Sequence, residues 1–67
     1  MSVAKVIEIS ARSTESIEDA IETGIAKASR SVDDIRSAWI KETHAEVAGG
    51  KVTGYRVDMK VTFVLKD

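Results

Sequence analysis

An α+β fold of β-α-β-β order, with a three-stranded antiparallel sheet packed on one helix, is predicted by three features of the 67-residue sequence. A short Val/Ile-rich run opens the chain, a single stretch shows helical apolar spacing, and two long alternating stretches flank Gly49-Gly50. With no proline and only 4 glycines, nothing reads as a linker, and residues 1–67 form one domain.

The segment Ala4 to Ile9 is too short for a stable helix and rich in β-branched residues, which predicts the first strand. Ser13 then precedes Thr14-Glu15-Ser16, with Glu18 and Asp19 following. A hydroxyl cap and acidic side chains thus gather where a helix presents unsatisfied N–H groups. Ile17, Ala20, Ile21, Ile25 and Ala28 recur at spacings of three and four, one stripe on a helix running roughly to Arg30. Gly24 lies on that stripe, where close approach to a sheet offsets its low helix propensity.

After Ser31-Val32-Asp33-Asp34, the stretch Ile35 to Val47 alternates, with Ala38 and Ile40 on one side and Ser37, Trp39, Lys41 and Thr43 on the other. Gly49-Gly50 supplies the positive φ angles of a tight hairpin. From Val52 to Leu65 the third strand places Tyr55, Val57, Met59, Val61, Phe63 and Leu65 against the helix. Arg56, Asp58, Lys60 and Thr62 occupy the other face. A hairpin centred on the glycines sets Trp39 opposite Lys60, Lys41 opposite Asp58, Thr43 opposite Arg56 and Ser37 opposite Thr62, all on a sheet face that no helix covers. Lys41 and Asp58 are expected to form a cross-strand ion pair.

A chain this short buries a modest core, and without cysteine it has neither disulfide nor thiolate metal site to brace it, so self-association is expected. Its net charge of −1 argues against a nucleic-acid partner. The lack of a long apolar run or of a charged segment followed by an apolar stretch argues against a membrane and for the cytoplasm. No phosphate loop, metal-ligand cluster or acid–base pair at diagnostic spacing appears, and an enzyme is not expected. His44, the single histidine, reads as a surface or interface residue.

The run Lys5-Val6-Ile7-Glu8-Ile9, the helix start from Ser13 to Ile21, and the closing Tyr55-Arg56-Val57-Asp58-Met59-Lys60-Val61-Thr62-Phe63 together resemble the dodecins. That resemblance implies a hollow homododecameric shell that commonly stores a flavin, riboflavin or FMN, without turnover. Flavin-binding members stack a tryptophan from the second strand on the ring and bond its edge with a glutamine from the last. An ungapped alignment puts Ser37 and Arg56 at those places.

Trp39 lies two residues beyond Ser37 on the same strand face, so the expected flavin site comprises Trp39, Arg56, Ser37, Lys60 and Thr62. Equally, Trp39 is expected at a subunit interface against Lys60, with Arg56 in an intersubunit ion pair. The Ser31–Arg36 stretch and the Tyr55-Arg56 pair also resemble calcium-associated dodecins, for which Glu42, with Glu46 and Asp58, offers carboxylates to a divalent cation. A further alternative is a phosphate-bearing ligand such as coenzyme A or a nucleotide on Arg56 and Lys60.

Overall fold

The computed structural model describes residues 3–65. Four elements follow in chain order: β1 (Val3–Ser13), α1 (Ile17–Ala28), β2 (Ile35–Ala48) and β3 (Lys51–Leu65). The sheet is antiparallel with order β1-β3-β2, so the strand with the cleanest alternation is the central one.

The helix lies on one face of that strand. Ala20, Val57, Met59 and Val61 are fully buried, and Ile7, Ile9, Ala11, Ile17, Ile21, Ile25, Ile35, Ala38 and Ile40 pack around them. Tyr55 is half-buried and Leu65 exposed, because the ends of β3 reach beyond the helix. At Gly24 the helix comes close to the sheet: a Cβ there would stand 2.9 Å from Ala11 Cβ and 2.9 Å from Met59 Cε.

β1 runs past the expected Ile9 to Ser13, pairing through to Tyr55. Ala11 carries the alternation onward under the helix, and buried Ser13 ends it. The expected capping role of Ser13 is divided between two serines. Ser16 is the N-cap and accepts from Asp19 N at 2.9 Å. Ser13 Oγ accepts from Glu15 N at 2.9 Å and donates to Asp19 Oδ2 at 2.6 Å. The helix stops at Ala28 rather than near Arg30, with Ser29 Oγ donating to the Ile25 carbonyl at 2.7 Å. Asp34 turns the chain into β2 at φ 60°, a conformation that its short polar side chain tolerates.

Gly49 and Gly50 take φ values of 59° and 76°, as the hairpin requires. The expected register holds next to the turn, where Ala48 pairs with Lys51, and again from Ile40–Met59 to Ser37–Thr62. Between these stretches it is displaced by one residue, because bulges fall at Thr53 on β3 and Lys41 on β2. Glu42, not Lys41, therefore faces Asp58, and His44, not Thr43, faces Arg56. The hairpin also extends beyond β1, and the molecule measures 52 × 19 × 13 Å.

Candidate functional site

The sheet face away from α1 is built in rows that cross all three strands. In order they are Val6–Thr62–Ser37, Glu8–Lys60–Trp39, Ser10–Asp58–Glu42 and Arg12–Arg56–His44. A period-two strand pattern, interrupted once at Lys41, sends these side chains away from the core.

Trp39 is 69% exposed, an extreme value for an indole on a sheet. Lys60 Nζ stands 5.7 Å from its ring centroid, a cation–π contact of roughly 0.5–1 kcal/mol at an exposed site. The neighbouring row joins Ser37 to Thr62, so four of the five expected ring-binding residues form one patch. Arg56 does not join it. It lies two rows away, beyond the Asp58 row, at roughly 13 Å along the strand.

The bulge at Lys41 decides what lies in that intervening row. It frees Lys41 to reach across the central strand to Glu8 Oε2 at 3.1 Å, replacing the expected Lys41–Asp58 pair. It also turns Glu42 and His44 toward β3. His44 Nε2 lies 3.9 Å from Glu42 Oε2 and 3.8 Å from Asp58 Oδ2. One ligand atom from each of Glu42, His44 and Asp58 falls within 4.8 Å of the others. The second Asp58 oxygen, Oδ1, faces Arg56 Nε at 3.9 Å. Such an arrangement offers two carboxylates and one imidazole to a cation, with an arginine at its margin.

Glu46, also expected as a cation ligand, is engaged elsewhere. Arg12 Nε donates to its Oε1 at 2.8 Å, holding its carboxyl below the ordinary 4.5, first through that hydrogen bond and then through the positive charge. Gly54 makes this bridge between β1 and β2 sterically accessible: a Cβ there would stand 2.6 Å from Arg12 Nη2 and 3.0 Å from Glu46 Oε1.

His44 was not expected beside the carboxylates, yet the sequence carries the signal. Apolar residues occupy even positions at Ala38 and Ile40 but odd ones at Ala45 and Val47, and only an extra residue between them reconciles both with one face. A groove of about 560 Å³ between β1 and α1, walled by Ile7, Ile9, Gly24 and Ala28, lies on the helix side and meets these rows only at Ser10 and Arg12 on the β1 edge. It is the flank that one helix leaves uncovered on a three-stranded sheet.

The dodecin family model matches residues 3–66. The chain belongs to the dodecin family. This dodecin is similar to the calcium dodecin of Mycobacterium tuberculosis, with 42% identity over 67 residues, 98% of this chain and 93% of the relative. Among solved structures it is similar to the dodecin from Streptomyces davaonensis, at 27% identity and a TM-score of 0.93, with 98% and 97% of the two chains covered. It is also similar to the calcium-chelating immunodominant antigen of M. tuberculosis, a calcium dodecin with a novel calcium-binding site. There the identity is 39% and the TM-score 0.82, covering 97% of this chain and 93% of the other. Among the described residues of this dodecin, no helix is long and apolar enough to cross a membrane.

Proposed function

We propose that this dodecin is a non-catalytic, self-assembling binding protein that holds a divalent cation, calcium, on the open sheet face through Glu42 and Asp58. The carrying observation is the bulge-dependent meeting of Glu42 and Asp58 beside His44, in a chain 42% identical to a calcium dodecin. Calcium takes six to eight oxygen ligands, so two carboxylates complete at most part of a shell, with water and neighbouring subunits supplying the rest. Few charged ligands on an exposed surface imply a Kd of about 0.1–1 mM. The shell is proposed as the dodecamer of the family, with the uncovered rows facing other copies.

The test is calcium-dependent melting of wild type and Glu42→Gln. At ten times its Kd a native-state ligand contributes about 1.4 kcal/mol, which raises Tm by several degrees in a domain of this size. A rise lost in the variant supports the site, whereas an identical rise in both moves the cation elsewhere.

A second reading rests on Trp39: an indole 69% exposed, flanked by Lys60, Ser37 and Thr62, offers a platform for a flavin ring. Within one subunit Arg56 stands two rows from this patch, so the reading rests on Trp39, Lys60, Ser37 and Thr62. Titration of riboflavin and FMN with wild type and Trp39→Ala tests this reading. Saturable quenching lost in the variant supports it, and absence of quenching in the intact assembly removes it.

A further inference from the structure

We propose that the Glu42–His44–Asp58 cluster, besides calcium, takes a late first-row transition ion of the zinc class and binds it more tightly. The inference rests on the reading that this cluster holds a cation and specifies which class it prefers. Calcium is a hard ion that takes oxygen ligands, and it gains little from an imidazole. Zinc accepts His nitrogen and carboxylate oxygen together in a small shell, and nitrogen–oxygen sites bind late first-row ions in the Irving–Williams order.

The geometry favours participation of the imidazole. Its Nε2 is the histidine atom nearest both carboxylates, at 3.9 Å from Glu42 Oε2 and 3.8 Å from Asp58 Oδ2. Ligand atoms around a tetrahedral zinc lie roughly 3.3 Å apart, given bonds of about 2.0–2.1 Å. Closing the two imidazole–carboxylate distances takes about half an ångström, and bringing Glu42 and Asp58 together from within 4.8 Å takes up to about 1.5 Å, from side chains that are partly exposed. Glu42 and His44 occupy alternate positions after the bulge, so both project from one face of β2, and Asp58 meets them from the centre of the sheet. Asp58 divides its oxygens, with Oδ2 toward His44 and Oδ1 toward Arg56. One oxygen thus faces the cation position while the other faces the arginine at 3.9 Å. Three protein ligands leave a fourth position for water or a group from another copy.

Because His44 is the single histidine in the chain, its imidazole signals report coordination without assignment. The experiment titrates Zn²⁺ and Ca²⁺ separately into the assembled full-length protein, following affinity by calorimetry and the His44 ring resonances by NMR. It uses wild type, His44→Gln and Glu42→Gln, each checked for fold by circular dichroism. The expected result is zinc binding at least about tenfold tighter than calcium, His44 ring shifts with zinc, and a loss of about tenfold or more in zinc affinity in His44→Gln. Cobalt(II) substitution giving the intense visible bands of a tetrahedral nitrogen–oxygen site would add direct support. Calcium binding that depends on Glu42, with zinc no tighter or the ring unmoved, overturns the selectivity while leaving the cation site intact. Binding of neither ion overturns both.

Discussion

Replacing Gly24 by alanine sets two calculable effects against each other. Alanine gains about 1 kcal/mol of helix propensity over glycine. Its Cβ would stand 2.9 Å from Ala11 Cβ and 2.9 Å from Met59 Cε. The first of these is fixed to the β1 backbone and cannot rotate away, and the second ends a side chain that is fully buried. Overpacking of this kind costs about 1–3 kcal/mol, so the helix must lift from the sheet and the net effect is a destabilisation of about 1 kcal/mol. In a domain of this size that lowers Tm by roughly 4–8 °C. Urea denaturation of Gly24→Ala, Ala11→Gly and the double variant, at one protein concentration and matched assembly size, measures it. Removing the opposing Cβ should make room, giving a favourable coupling of at least about 0.5 kcal/mol between the two sites. A Gly24→Ala variant about 1 kcal/mol more stable than wild type, with additive effects in the double variant, would refute close packing as the reason for this glycine.

Met59→Ala, at the centre of the core, is expected to lower stability by about 2–5 kcal/mol, read by the same denaturation. The Glu46 carboxyl should titrate below 4.5 by carbon-detected NMR and return toward 4.5 in Arg12→Gln, since the Arg12 hydrogen bond is the main cause of its depression. Because its folded value lies below the unfolded one, the stability it contributes is present above the unfolded value and lost as pH falls through the folded value. Arg56→Gln removes a positive charge 3.9 Å from Asp58 Oδ1 and should tighten cation binding several-fold at low salt, an effect that calorimetry at two ionic strengths would show shrinking as salt rises. Trp39 emission should move to the blue on assembly if a neighbouring copy covers the ring, and intensity should fall with iodide in any state that leaves it exposed.

The fold was legible because each element is specified by a local pattern that tertiary packing does not oppose. The alternation from Tyr55 to Leu65 set the central strand, and the Ile17–Ala28 stripe set the face on which the helix lies. The exposed indole and its pairing with Lys60 followed from counting outward from Gly49-Gly50. The register departs from that count between the bulges at Thr53 and Lys41, whose displacements cancel and so leave the Trp39 row correct, and again at Arg36, beyond which Ile35 faces Phe63. The error fell on the candidate cation site, where one residue of register exchanges Lys41 for Glu42 and Thr43 for His44. Long-range partners were less legible. Arg12 with Glu46 and Lys41 with Glu8 span the central strand between residues more than thirty positions apart, and no local pattern encodes them.

Calcium coordination by Glu42 and Asp58 in an assembled shell is tested by calorimetric titration of calcium into protein of measured mass, beside Glu42→Gln and Asp58→Asn. The expected result is a large oligomer that binds calcium saturably at about 0.1–1 mM and loses binding in both variants. A large oligomer with no calcium uptake, or uptake unchanged in both variants, would contradict it.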